Sequence, residues 1–202
     1  MRILAVSDEV VGVLESPAVR EHFGRVDIVL GCGDLPASYL EYLVTQLNVP
    51  LLYVPGNHDP DEFSVPGGQC IDGRVITCLT LRFAGLGGSP RYKSEGRHQY
   101  TEAEMDWRAG WLLPRLLPGR IGKGRGMDVL VTHSPPRGIH EGTDHVHRGF
   151  RALRSLARFA RPRLMVHGHT HILGNLQARE TLLDGTRIVN VFPYQLLELE
   201  SA

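Results

Sequence analysis

The sequence predicts an α/β fold in which parallel and antiparallel strands are mixed. Three observations predict it. Eight short apolar runs recur along the chain. Helical periodicities lie between several of them. Five of the runs lead into a side chain bearing a metal-binding oxygen or nitrogen.

In chain order, Ile3–Val6 reads as a buried strand, apolar throughout and too short for a helix. Asp27–Leu30 is the second strand. Leu35–Leu47 carries Leu40, Leu43, Val44 and Leu47, spaced three and four apart, which predicts a helix. Leu51–Val54 is a third strand, stopped by Pro55-Gly56. Val75–Thr77 and Leu81–Ala84 predict an antiparallel pair within 71–85. Thr101-Glu102-Ala103-Glu104 has capping-box spacing and predicts a helix toward Leu113, which Pro114 is expected to end. Gly119–Gly126, with four glycines and three basic residues, reads as a flexible surface loop. Val129–Thr132 is a strand. Gly149–Ala160 is a helix with Phe150, Leu153, Leu156, Ala157 and Ala160 on one face, leaving Arg151, Arg154 and Arg158 to solvent. Leu164–Val166 and Arg187–Val191 complete the strands. Asp184-Gly185 predicts a hairpin within a strand-rich stretch over 176–200.

The 202 residues suit one domain, 1–202, able to bury roughly 70% of its unfolded surface. Hydrophobic residues at 42% and charged residues at 22% exclude a disordered chain. Twenty-two basic residues against 22 acidic give zero formal charge, which argues against a nucleic-acid partner. Cys32, Cys70 and Cys78 are odd in number and lack CxxC spacing, so neither a disulfide framework nor a thiolate zinc site is indicated. No apolar run reaches the ~20 residues that span a bilayer. The apolar run at Ile3–Val6 is too short for a signal sequence. A cytoplasmic protein with no membrane partner is expected.

The five strand ends carry the functional reading. Ile3–Val6 leads to Asp8, and Asp27–Leu30 leads through Gly33 to Asp34. Leu51–Val54 leads through Gly56 to Asn57-His58-Asp59. Val129–Thr132 leads to His133. Leu164–Val166 leads through Gly168 to His169-Thr170-His171. Ligands in α/β sheets sit beyond the carboxyl ends of the strands, where such tips converge. Two carboxylates, an amide oxygen and several imidazoles suit manganese, iron or zinc rather than calcium. Taken singly each is ambiguous: an Asp after a strand is commonly a turn residue, and Asn57-His58-Asp59-Pro60 is also turn chemistry.

Asp8-Glu9-Val10, Gly33-Asp34, Gly56-Asn57-His58-Asp59, His133 and Gly168-His169-Thr170-His171 together resemble the calcineurin-like metallophosphoesterase superfamily over nearly the whole chain. The family pattern is D-x-H, G-D, G-N-H-[DE], H, G-H-x-H. Length and the Gly87-Gly88-Ser89 loop are similar to the small Icc-related branch. The resemblance implies a four-layer αββα sandwich of two mixed sheets flanked by helices. It implies one or two divalent transition-metal ions, manganese first, with iron, zinc or nickel as alternatives. Asp34 would bridge; Asn57, His133 and His169 would complete the second site; Asp8 and His171 would belong to the first. His58 would face the leaving group, with Asp59 orienting its ring. The reaction implied is hydrolysis of a small phosphoester, as a phosphodiesterase, by in-line attack of metal-bound hydroxide.

Val10 stands where the pattern has histidine, and it cannot coordinate a metal. The first site then keeps Asp8, Asp34 and His171, and adjacent Glu9 points away from a shared face. His145 and His147 follow His133 on a loop that could swing either imidazole into the first site, although a solvent-exposed loop is expected for them. Arg91 and Arg137, with Arg97 and Arg148, are candidate phosphate contacts, and Tyr92 and Tyr100 are candidate stacking surfaces. Val10 also keeps open a second function: a catalytically impaired scaffold on the same fold, as in the small retromer subunit of this family, which works through protein contacts.

Overall fold

The computed structural model describes residues 1–172 and 178–200. The elements run β1 (Arg2–Val6), α1 (Ala18–Phe23), β2 (Ile28–Gly31), α2 (Ala37–Leu47), β3 (Leu51–Tyr53), β4 (Gly68–Cys70), β5 (Val75–Cys78), β6 (Leu81–Leu86), β7 (Ser89–Pro90) and β8 (Gln99–Tyr100). They continue with α3 (Glu102–Lys123), β9 (Val129–Thr132), α4 (Arg151–Ala160), β10 (Leu164–His167), β11 (Glu180–Leu183), β12 (Thr186–Asn190) and β13 (Tyr194–Glu198).

Two mixed sheets form. One has the order β13-β1-β2-β3-β4, the other β11-β12-β10-β9-β6-β5. Within each, the interior strands run parallel. The antiparallel neighbours lie at edges: β13 on β1, β11 on β12 and β5 on β6. The expected antiparallel pairs in 71–85 and in the late hairpin are therefore present, although residues 176 and 177 lie outside the described residues. Asp184 and Gly185 turn β11 into β12 with φ of 49° and 87°, the left-handed pair a tight two-residue hairpin requires.

Strand alternation sorts the core into three layers. Ile3 and Ala5 of β1, Val129 and Val131 of β9, and Leu164 and Val166 of β10 share one cluster between the sheets. The intervening Leu4 and Val6 face outward onto α1 and α2 beside Tyr39, Leu40 and Leu43. On the other sheet Leu130 and Met165 face α3 and α4, against Met105, Leu112, Leu153 and Leu156. Both faces of each sheet are covered, which is why these strands read as continuous apolar runs. The layers are helix, sheet, sheet, helix, as the resemblance implied.

The helix opening at the Thr101–Glu104 capping box forms, with Thr101 accepting from the Glu104 N–H and Glu104 reaching back to the Thr101 N–H. Its end differs from expectation. α3 runs through both Pro114 and Pro118 to Lys123, and Gly124 caps it at φ 73°. Residues 119–123, expected as loop, are its last turn. The buried stripe Met105-Ala109-Leu112-Leu116 continues past Pro114. Both prolines face solvent, so the backbone bonds they forgo lie on the wet side, where water can replace them. Among the described residues, no helix is long and apolar enough to cross a membrane.

Candidate metal centre

The ends of β1, β2 and β3 in one sheet meet the ends of β9 and β10 in the other. Backbone bonds stitch the tips together: Asp8 N–H to the Gly33 carbonyl (3.1 Å) and Gly168 N–H to the His133 carbonyl (3.0 Å). Across the sheets, His169 N–H donates to Asp8 Oδ2 (2.9 Å). Asp8, Asp34, His133 and His169 each present a ligand atom within 4.8 Å of the others. Asp8, Asp34 and His169 all take left-handed backbone conformations, with φ of 65°, 57° and 65°. Non-glycine residues held this way cost about 1–3 kcal/mol each and cluster at functional sites.

The glycines beside these residues are there for space. A Cβ at Gly56 would overlap the Asp34 carboxylate, and one at Gly168 would overlap Ser7 Oγ and the Asp8 carboxylate.

His133 is fully buried, and its hydrogen bonds define which nitrogen is free. Its Nδ1 lies 2.7 Å from the Cys32 carbonyl, which can only accept, so Nδ1 carries the proton. Nε2 then points a lone pair at Asn57 Oδ1 (3.1 Å) and Asp34 Oδ2 (3.3 Å). Three acceptors converging without a hydrogen between them suit a cation. Asn57 is turned the right way by Tyr92, whose hydroxyl accepts from Asn57 Nδ2 (3.3 Å) and leaves Oδ1 toward the cluster. His169 Nε2 donates to the Val146 carbonyl (2.9 Å), leaving Nδ1 as its free donor atom. Such outer partners fix ligand tautomers and orientation. The residues present fit a divalent transition metal of nitrogen and oxygen preference.

Without an ion the same cluster holds a proton. Burial opposes a charge on His133, but the Asp34 carboxylate beside it, and Asp8, raise it to about 9. Burial likewise opposes ionisation of Asp34, yet His133 and the His58 N–H lower it to about 2. Burial, then the nearby His133, push His169 down to about 4.

The other side of the centre is looser. His171 Nε2 lies 3.8 Å from Asp8 Oδ1, and its side chain is 54% exposed. Its ring stacks on Phe192 at 4.3 Å. Val10 is 38% exposed and does not line the cavity over the cluster. That cavity, about 380 Å³, is lined by Asp8, Asp34, Asn57, His58, His169 and His171, with Tyr92, Val146 and His147.

His58 is exposed on this cavity, and its backbone N–H donates to Asp34 Oδ1 (2.7 Å). Asp59 does not take the expected position against the His58 ring. Its Oδ2 accepts from the N–H groups of Gly56 (2.7 Å) and Asp34 (3.0 Å). Asp59 is buried, so two backbone donors hold it, and it clamps the β2 and β3 tips together.

The predicted rim residues divide. Arg91 and Arg137 do not reach the metal cavity. They line a neighbouring one of about 260 Å³ with Tyr100, His145, Arg148 and Phe150. There Arg91 pairs with Glu104 (3.0 Å) and Arg137 with Glu102 (3.4 Å). His145 is exposed, as expected, with Nε2 on the Arg91 carbonyl (3.1 Å). His147, expected in a solvent-exposed loop, instead lines the metal cavity, 5.1 Å from the His169 ring and 2.8 Å from Asp144. Tyr92 holds Asn57, a role its residue type did not announce.

Sequence reasoning also missed a histidine relay behind the last turn. Thr181 Oγ1 and His140 Nε2 are 2.9 Å apart, and His140 Nδ1 lies 3.0 Å from His167 Nε2. His167 Nδ1 donates to the Gly168 carbonyl (3.0 Å). The relay fixes the peptide that launches His169. Its one sequence signal was His167 directly before Gly168.

A family model described as the calcineurin-like phosphoesterase superfamily domain matches residues 1–191. A crystal structure of TT1561 of Thermus thermophilus is similar at 17% identity and TM-score 0.63, covering 94% of this chain and 88% of that one. GAP50, titled as the anchor in the inner membrane complex of Plasmodium, is similar at 13% identity and TM-score 0.52, covering 94% and 70%. A single mutant of Vps29 from Entamoeba histolytica aligns at 16% identity and TM-score 0.45, covering 94% and 73%. No curated protein sequence matches the chain.

Proposed function

Because the chain belongs to the calcineurin-like phosphoesterase superfamily, we propose that it is a metal-dependent phosphodiesterase acting on a small phosphoester. One observation carries the reading: His58 stands exposed on the cavity lined by Asp8, Asp34, Asn57 and His169, three of which form a ligand cluster with the buried His133. The cavity's volume is in the range that holds small molecules. Zero formal charge supplies no net attraction to a nucleic-acid substrate.

Asp8, Asp34, Asn57, His133, His169 and His171 would hold the metal, with manganese the first candidate. When bound, a divalent ion supplies Lewis-acid polarisation of the phosphoryl oxygens and a nucleophile at neutral pH. The protein's own part is positional and protonic. Cys32 and Val146 carbonyls lock two imidazole tautomers. Tyr92 orients the Asn57 amide. Asp59 fixes the turn from which His58 projects. His58, anchored by its N–H on Asp34, would give a proton to the leaving oxygen of the substrate, a contribution of ~10²–10⁴-fold for a positioned acid.

The test is hydrolysis of a generic aryl phosphodiester, with and without added Mn²⁺, by the protein and by His58→Ala. Turnover that needs metal and falls by about two orders of magnitude or more in the variant, at unchanged metal content, supports the reading. Equal turnover in the variant removes His58 from the mechanism.

Val10 favours one other reading, a scaffold that keeps the fold and binds proteins. The likeness to GAP50, titled an anchor, extends to fold alone. Absence of turnover in saturating metal would favour it.

A further inference from the structure

Four imidazoles line the metal cavity: His58, His147, His169 and His171. Three have a part in the proposed reaction, and His147 has none. Its backbone is nonetheless held. Its N–H donates to Asp144 Oδ1 (3.0 Å), and its carbonyl accepts from the Gly142 N–H (2.8 Å). A Cβ on Gly142 would come within 2.6 Å of the His147 Cβ, so that glycine makes room for the histidine. The preceding carbonyl, of Val146, takes the proton of His169 Nε2 (2.9 Å). One short segment therefore orients a candidate ligand and sets a second imidazole beside it. The two ring centroids are 5.1 Å apart, with 33° between the planes.

The His147 ring is oriented atom by atom. Nδ1 lies 3.0 and 2.8 Å from the two carboxylate oxygens of Asp144. An ionised carboxylate can only accept, so Nδ1 carries the proton and Nε2 keeps a lone pair. Among the described residues, Nε2 has no hydrogen-bond partner. In this tautomer it has no proton to offer a phosphoryl oxygen, and it has an electron pair to offer a cation. A carboxylate behind an imidazole whose other nitrogen is bare is the arrangement that holds metal-bound histidines. His133 and His169 show the same arrangement, with the carbonyls of Cys32 and Val146 in place of the carboxylate.

We propose that His147 is a further ligand of the metal centre, through Nε2, with Asp144 as the carboxylate that orients it. The assignment rests on the reading that the centre binds a divalent metal. Like His171, His147 stands outside the tight group of Asp8, Asp34, His133 and His169. Its side chain is 41% exposed, so it closes the ligand shell from the open side of the cavity rather than founding it. It restores the number of imidazoles that Val10 reduces.

The test reads metal binding, not turnover. Mn²⁺ affinity of the full chain is measured by calorimetric titration, and nitrogen ligands by pulsed electron paramagnetic resonance of the Mn²⁺-saturated protein. Asp144→Asn should weaken binding about tenfold, at the low end for a lost outer partner, and keep every nitrogen coupling. His147→Ala should weaken it further, about a hundredfold, and remove one nitrogen coupling. His145→Ala is the control for the segment itself. Its Nε2 lies on the Arg91 carbonyl (3.1 Å), away from the metal cavity, so affinity and couplings should match the parent. A parent that binds no Mn²⁺ overturns the underlying reading of the centre. A parent that binds Mn²⁺, with affinity and couplings unchanged in His147→Ala, overturns the assignment of His147 alone. So does a loss of affinity with no nitrogen lost, or an equal loss in His145→Ala, either of which would make the segment a support and His147 no ligand.

Discussion

The two halves of the metal centre are built to different standards. On the Asp34 side, His133 is fully buried, and Asn57, His133 and His169 each have a partner from a separate segment that fixes the donor atom's direction. On the Asp8 side, His171 is half-exposed, 3.8 Å from Asp8, and held by stacking on Phe192. Val10, at the position where the family pattern places a further imidazole, leaves that half one ligand short. A metal site is tight where its outer partners are in place, and it loosens first where one is lost.

The comparison breaks entirely at Asp34, which serves both halves. Asp34→Asn should leave the purified protein with little or no bound Mn²⁺ by elemental analysis. Retention of a full equivalent would show that Asp8 and the histidines suffice. A smaller effect is expected from Tyr92→Phe, which keeps the ring and removes the hydroxyl that turns Asn57. Metal affinity should fall about 10–100-fold, as for other lost outer partners, in a calorimetric titration. An unchanged affinity would mean that Asn57 needs no help. Smallest is the effect of rebuilding the weak half. Val10→His should raise occupancy of a second ion at limiting Mn²⁺ without altering the first, and no change would show that position 10 does not take the part of the histidine in D-x-H.

The tight half should also give the metal-free protein a stability maximum near pH 6.5. His133, raised to about 9 in the fold, carries a proton that an unfolded imidazole gives up near 6.5. Its contribution is complete below 6.5 and is lost as pH rises toward 9. His169 and His140, held near 4, and His167, held near 3, act in the opposite sense. The unfolded chain binds more protons than the fold between about 6.5 and 4, so stability falls as pH drops through that window. Thermal midpoints across pH 4–9 would show both arms. Saturating metal should flatten the alkaline arm, because a ligating His133 has already given up its proton.

Much of this was legible in the chain. The strand tips were visible because apolar runs covered on both faces end abruptly at Asp8, Asp34, Asn57, His133 and His169, and the glycines beside them mark close backbone approach. The groups that steer these ligands were not legible. Cys32 and Val146 act through carbonyls, which every residue has, and Tyr92 and His147 arrive on loops whose course only tertiary packing sets. Asp59 was assigned to His58 because the resemblance implies that role, whereas backbone donors from two strand tips claim its carboxylate. The length of α3 was misjudged because Pro114 is a strong local signal, and Leu116 shows that the buried face outweighs it.

The left-handed backbone at Asp8, Asp34 and His169 bears on how this protein would respond to selection. Glycine adopts that geometry freely and aspartate and histidine do not. A library sorted only for heat resistance in the absence of metal would therefore drift toward glycine at His169, whereas Asp34, whose carboxylate stabilises the protonated His133, would be kept. Sorting in the presence of Mn²⁺ would reverse the preference at His169, since the ion rewards the residue that the bare chain strains to hold. The two outcomes, read by sequencing at that codon, would distinguish a working metal centre from a relic.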